Sequence, residues 1–376
     1  MIISNLHQLV NQNAYFCQTM LASNKQDIRS LELPALQVIF KDMGESNFRA
    51  KQVFEWLWKK SATSFDEMSN LSLVLREKLN QDFEIRAVQL GRQQKSADRT
   101  IKNTFTLFDG NIIEGVLIPT MDRMTACVSS QVGCSLTCKF CATGYMERKR
   151  NLNADEIYDQ VVLIDKQAKE NYKIPLSNIV YMGMGEPLLN YSNMMKSIEK
   201  ITSPDGLNMA AKRITVSTAG IAKMIKKLGD DEVRFNLALS LHAANDVKRN
   251  EIMPINEQNS LEALAEALKY FYVKTNTPVT FEYIVFDGFN DELIDAKELA
   301  RFCKNVPCKV NLIEYNPIEF ADFKNAGIDK IDAFADYLRS QQIIVNIRRS
   351  RGKDIDAACG QLAVKQQKND SERVFI

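Results

Sequence analysis

The chain has 376 residues, with 48 Lys and Arg against 47 Asp and Glu and a formal charge of +1. Hydrophobic residues make up 45% and charged residues 25%, a globular balance that argues against disorder, a collagen repeat or a disulfide miniature. At about 150 residues per domain the length implies two to three domains, with chain enough to bury a core without staples. A near-neutral total neither announces nor excludes a nucleic-acid partner, because binding needs only a local patch.

The opening residues, Met1-Ile-Ile-Ser-Asn-Leu-His, have no basic stretch and no sustained apolar run, so no secretory signal is expected. No run of about 18 apolar residues predicts a membrane span, and the expected location is cytoplasmic. The eight cysteines are Cys17, Cys127, Cys134, Cys138, Cys141, Cys303, Cys308 and Cys359. Four of them fall within fifteen residues, which reads as metal binding or redox chemistry in a reducing compartment.

Residues 1–90 read as a small helical unit. Asn47 is a candidate cap, and Ala50, Val53, Phe54 and Leu57 follow at helical spacing; Leu71, Leu75 and Leu79 form a second stripe. Lys51, Lys59 and Lys60 make either a solvated face or an RNA-touching one. Residues 91–120 read as a linker bearing Arg92, Lys95, Arg99 and Lys102, then a β-hairpin turning at Asp109-Gly110. From about 125 a strand–helix rhythm begins. Strands are predicted at 125–129, 179–182, 213–218, 235–241, 280–286 and 309–313, with helices near 154–169, 192–201, 220–228, 260–273, 291–303 and 328–340. Six such units imply an α/β fold with a parallel sheet and right-handed crossovers. Polar residues at the strand ends favour a (βα)6 partial barrel over an open doubly wound sheet. A last strand at 343–347 completes a core spanning 121–362, and 363–376 is a polar tail.

Cys134, Cys138 and Cys141 have the spacing C-x3-C-x2-C. Three thiolates on one tight loop can hold three irons of a cubane cluster, leaving the fourth iron open to a substrate. A structural zinc site would want four closed ligands, usually in paired hooks; Cys127 could be a fourth, but no second C-x2-C exists. With Phe140 inside it, the run is similar to the signature of the radical S-adenosylmethionine (SAM) superfamily. That likeness implies a [4Fe–4S] cluster whose open iron binds SAM, with Phe140 near the adenine.

Gly183-Met-Gly185-Glu186-Pro follows the second strand. Its glycines allow close backbone approach, and Glu186 offers a carboxylate for an ammonium group. Ser217, Ser240-Leu241-His242 and Asn316 end later strands; singly each is an ordinary turn or capping residue. Together, with Gly185 and Glu186 matching the superfamily's Gly-Gly-Glu-like motif, they suit the amino, carboxylate, ribose and adenine groups of SAM. Arg348-Arg-Ser-Arg-Gly-Lys353 and Arg148-Lys-Arg150 are candidate phosphate contacts.

Nearly the whole chain resembles the radical SAM adenine methyltransferases of the RlmN and Cfr type, RlmN more closely. The resemblance rests on Phe48-Arg-Ala-Lys-Gln-Val-Phe-Glu-Trp-Leu, Cys127-Val-Ser-Ser-Gln-Val-Gly-Cys134, Met182-Gly-Met-Gly-Glu-Pro-Leu, Ser240-Leu-His-Ala, Pro254-Ile-Asn and Arg351-Gly-Lys-Asp-Ile-Asp-Ala-Ala-Cys359-Gly-Gln-Leu. It implies methylation at C2 of an adenosine in 23S rRNA and of the adenosine beside the tRNA anticodon, at two SAM per turnover. It makes Cys359 the methyl carrier, Cys127 the thiol that resolves the adduct through a transient disulfide, and Glu114 the base for the C2 proton. It implies an RNA-binding N-terminal domain, a flavodoxin- or ferredoxin-type electron donor and a monomer without membrane attachment. Cys17, Cys303 and Cys308 match no motif and read as structural thiols. The alternatives are a Cfr-type methylation at C8, a non-catalytic zinc-stabilised RNA-binding factor, and a radical SAM enzyme acting on a small molecule.

Overall fold

The computed structural model describes residues 25–364, so Cys17 and the tail from 365 lie outside the described residues. Contacts divide the chain after Arg86 into two units.

In the first unit, β1 (Gln26–Asp27) pairs in parallel with β2 (Phe83–Glu84). Between them lie α1 (Leu33–Asp42), α2 (Asn47–Trp58) and α3 (Leu73–Asp82). Ser46 has the extended backbone of the α2 cap, so Asn47 is already helical, one residue earlier than the sequence predicts. At α3 the Ser72 hydroxyl accepts from the Leu75 N–H. Leu71 therefore precedes the helix, while Leu75 and Leu79 form its buried face. Helix α1 is absent from the sequence reading because only Leu36 and Phe40 of its ten residues are buried.

The second unit opens with an antiparallel meander, β3 (Gln89–Lys95), β4 (Ile101–Thr106), β5 (Ile112–Pro119) and β6 (Met124–Cys127). A small ribbon, β7 (Gln131–Val132) with β8 (Arg150–Asn151), flanks the cysteine loop. Strands and helices then alternate: α4 (Ala154–Tyr172), β9 (Asn178–Tyr181), α5 (Tyr191–Thr202), β10 (Ile214–Thr218), α6 (Ala222–Asp230), β11 (Asn236–Ser240), α7 (Asp246–Ile252), α8 (Leu261–Thr275), β12 (Val279–Ile284), α9 (Leu293–Cys303), β13 (Cys308–Ile313), α10 (Ile328–Ser340) and β14 (Ile344–Arg348). Ten strands form one sheet in the order β3-β4-β5-β6-β9-β10-β11-β12-β13-β14, parallel from β6 onward. Every residue of β12 is buried, as a strand covered by helices on one side and the barrel interior on the other must be. This is the expected (βα)6 partial barrel, extended by an antiparallel wing. The segment expected as a cationic linker is instead the edge strand β3, and Lys102 is buried within β4.

Candidate active site

The cysteine loop is shaped by its own backbone. The Cys134 sulfur accepts from the Leu136 N–H at 3.4 Å, and the Cys141 N–H donates to the Cys138 carbonyl at 3.2 Å. Lys139 N–H reaches the Ile252 carbonyl, at the end of α7, at 3.0 Å. Burial holds all three thiols above the usual cysteine range, Cys134 at about 12, and repulsion from the neighbouring sulfurs adds to it at Cys134 and Cys138. All three line one cavity at the C-terminal ends of the strands. Among the described residues no three His, Cys, Asp or Glu side chains close on a single ion. Three thiols from one loop facing a cavity are the ligand set of a cubane cluster with one iron left open, whereas a structural zinc takes four closed ligands.

Of the predicted cofactor residues, Phe140, Gly185, Glu186, Ser217, Ser240 and His242 line the same cavity, while Leu241 and Asn316 do not. Phe140 lies edge-on to His242, with ring centroids 4.6 Å apart. Gly185 has φ +92°, and a Cβ there would lie 2.4 Å from the Gln131 Cβ, so no side chain fits. Glu186 is buried, and its carboxylate accepts from Leu188 N–H at 3.0 Å and Ala219 N–H at 2.8 Å. Desolvation by burial raises its pKa, so an ammonium group placed beside it would supply the charge it lacks. Ser217 and Ser240 face each other across β10 and β11, with hydroxyls 3.4 Å apart. His242 adopts φ +55°, and its Nδ1 accepts from the Ile284 N–H at 3.1 Å. Leu241 lies beneath this surface, fully buried and offering only backbone. Asn316 is buried at the edge of the group and donates to the Cys359 carbonyl at 3.3 Å, while its Oδ1 has no partner.

Cys359 lines this cavity with its residue still open to solvent. Its loop is bolted to the cysteine loop: Ala142 N–H donates to the Gly360 carbonyl at 2.6 Å and Thr143 Oγ1 to the Leu362 carbonyl at 2.5 Å. Cys127, at the C-terminal end of β6, is buried, and its thiol is raised by burial and then by the nearby Cys359 sulfur. Both are free thiols here. Glu114 is a buried residue of β5 rather than a surface carboxylate of the hairpin. One of its oxygens pairs with Lys102 Nζ at 3.0 Å and the other accepts from Ala363 N–H at 3.0 Å. Desolvation raises its pKa despite the lysine.

Two charged side chains at or beside the site escape the sequence reading, and a third is read there only as a linker cation. Glu282 of β12 reaches the cavity, accepts from Asn311 at 2.8 Å and pairs with Arg348 at 3.4 Å. Arg249 is fully buried and donates to the carbonyls of Ala219, Ser240 and Leu241, joining the ends of β10 and β11 behind the cysteine loop. Lys102 is the third. The basic tail is also different from expectation. Arg348 belongs to the cavity rim, while Arg349 and Lys353 pair with Glu314 at 2.7 and 2.6 Å, so much of the run is neutralised. Arg150 is likewise engaged, by Asp109 and Glu156.

A strand-end cavity with three cysteines on the first loop of a (βα)6 barrel defines a radical SAM protein, and residues 128–302 match the Radical SAM superfamily. Residues 26–85 match the ribosomal RNA large subunit methyltransferase N-terminal domain. A Cytophaga hutchinsonii protein named "Probable dual-specificity RNA methyltransferase RlmN" is 62% identical over 363 residues, 96% of this chain and 100% of that one. A Bacillus thuringiensis protein of the same name is 42% identical over 351 residues, 93% of this chain and 97% of that one. The crystal structure of a radical SAM methyltransferase from Sphaerobacter thermophilus is 39% identical, with a TM-score of 0.86 covering 90% of this chain and all of that one. The chain belongs to the RlmN family of radical SAM RNA methyltransferases. It therefore works with a [4Fe–4S] cluster and SAM, for which the three thiols and the polar strand ends are the matching residues.

Proposed function

We propose that this enzyme methylates C2 of an adenosine in 23S rRNA and of the adenosine 3′ of the tRNA anticodon, through a methyl carried on Cys359. The observation that carries the reading is that Cys359 opens into the same cavity as Cys134, Cys138 and Cys141. The names of the relatives support RNA as substrate. When bound in this cavity, the cluster and SAM supply one-electron chemistry able to remove hydrogen from an otherwise inert methyl group. C2 of adenine is electron-poor, so ordinary nucleophilic attack on a SAM methyl is closed to it.

The protein's own groups do the rest. The Cys359 sulfur accepts a methyl and presents it to the cavity. After the carbon joins C2, Glu114 takes the C2 proton; burial raises its proton affinity, in the sense a base needs. One electron of the adduct returns to the bound cofactors. Cys127, giving up its thiol proton, then attacks the Cys359 sulfur. The electron pair of the broken sulfur–carbon bond stays on the RNA-bound carbon, which takes up a proton to become the methyl group, and a Cys127–Cys359 disulfide is left to be reduced by two electrons. A flavodoxin- or ferredoxin-type donor, action as a monomer and a cytoplasmic location complete the reading.

The test is nucleoside mass spectrometry after anaerobic reaction of the reconstituted enzyme with SAM, a reductant, and 23S rRNA fragments or tRNA. The expected product is 2-methyladenosine in both RNAs, and Cys127→Ala should leave RNA covalently attached to protein. Finding 8-methyladenosine would move the enzyme to the Cfr-type reaction. No methylated adenosine from enzyme that cleaves SAM would overturn the substrate class.

A further inference from the structure

The sheet is open between β3 and β14, and the chain after β14 crosses to the other edge. Where it arrives, the β3–β4 turn grips it. Ser96 Oγ and Ala97 N–H both donate to the Asp354 carboxylate, at 2.5 and 3.1 Å. In return Gly352 N–H donates to Asp98 at 2.9 Å, and Arg351 donates to the Asp98 carbonyl at 3.4 Å. Gly352 has φ +66°, and a Cβ there would stand 3.0 Å from Thr100 Cγ2 and 2.7 Å from Ala357 Cβ, so loop and turn are in close contact. A second grip lies along the wing. Lys102 Nζ donates to the Asp356 carbonyl at 3.2 Å while pairing with Glu114, and Glu114 receives Ala363 N–H on its other oxygen. Residues 352, 354, 356 and 363 are thus held on both sides of Cys359.

We propose that Asp354 and Lys102 are positioning residues for the carrier cysteine, and that the antiparallel wing exists to clasp its loop at the mouth of the cavity. This rests on the reading of Cys359 as the methyl carrier. Neither Asp354 nor Lys102 lines the cavity, so the two set where the sulfur sits rather than touching what reacts. The loop touches Glu114 only through Ala363 N–H on one carboxylate oxygen, and Lys102 holds the other, so the clasp also fixes where that carboxylate sits.

Asp354 is exposed, so its removal leaves the core intact. Holoenzyme carrying Asp354→Ala is compared with wild type by three readouts: amide hydrogen exchange over residues 351–363, methyl occupancy of the Cys359 peptide by mass spectrometry, and deoxyadenosine formed per methyl placed on RNA. The expected result is exchange faster by about tenfold over that segment alone, reduced methyl occupancy, and excess deoxyadenosine. Unchanged exchange would overturn the clasp, as would faster exchange with normal methyl occupancy and coupling. Slower exchange in Lys102→Arg than in Lys102→Met is the expected conservative rescue, and equal exchange would remove Lys102 from the clasp. A wild-type enzyme with no methyl on Cys359 would sink the carrier reading, whereas exchange still decides the clasp itself.

Discussion

His242 keeps its place in the cavity by being neutral. The Ile284 amide can only donate, so Nδ1 must carry a lone pair and the imidazole proton sits on Nε2, available to a ligand. Burial, and then the charge on Arg249, bring its pKa down to about 3. Unfolded histidine titrates near 6.5, so between pH 6.5 and 3 the unfolded chain takes up a proton that the folded one refuses. This contribution to stability is complete above pH 6.5 and falls by about 1.4 kcal/mol per unit below it. In urea unfolding at pH 7 and 5.5, wild type should lose about 1 kcal/mol more than His242→Gln; equal losses would mean the folded histidine is charged. His242 was legible as a candidate because it ends a strand, and the cysteines because their spacing is specific. Glu282, Arg249 and Lys102 were not. A single charged residue in an apolar strand, on a short helix or in a basic stretch looks like a surface group until the carbonyls and carboxylates that face it are known.

At the level of elements, strands were legible where burial imposes a pattern. The all-buried β12 and the mostly buried β5 stand out as apolar runs. Strand β3 does not, because nearly all its residues are exposed and only backbone pairing with β4 makes it a strand. The hairpin between β4 and β5 shows how one turn residue serves two elements. Asp109 lies at the centre of the turn and also binds Arg150 of β8 at 2.6 Å, beside the cysteine loop. Partial burial opposes its ionisation, but hydrogen bonds from Arg150 and Asn111 outweigh it and bring its pKa to about 2. A depressed carboxylate stabilises the fold fully above the unfolded value of 3.8, and that contribution is lost as pH falls through 2. Asp109→Asn should therefore cost about 1–2 kcal/mol at neutral pH, allowing for screening at a partly exposed pair. Thermal melts at pH 7 and pH 3 should show the gap between wild type and variant narrowing, and a constant gap would assign the loss to packing instead.

Over the whole molecule, the repeated strand–helix order prescribes a parallel sheet with right-handed crossovers, and the polar residues at the strand ends favour the barrel over an open doubly wound sheet. Pattern alone did not reveal that the barrel is closed by hydrogen bonds from the C-terminal loop to the wing. Those partners lie far apart in the chain, Ser96 and Asp354 by 258 residues. No helix among the described residues is long and apolar enough to cross a membrane. Every cavity residue falls in the second unit, so the first is available for another task. Its Lys51, Lys59 and Lys60 are all exposed, and the Lys60 ammonium sits 3.8 Å over the Trp56 ring. Cations beside an aromatic face suit an RNA strand, through phosphate contact and base stacking. If this unit holds substrate RNA, replacing the three lysines with alanine should weaken RNA binding and raise the KM for RNA, with SAM cleavage unchanged. The slope of log affinity against log salt should fall by about 2 to 3, the loss expected for three released phosphate contacts. Filter binding across a salt series measures this directly. An unchanged slope would leave the three lysines as a solvated face and place RNA contact elsewhere on the chain.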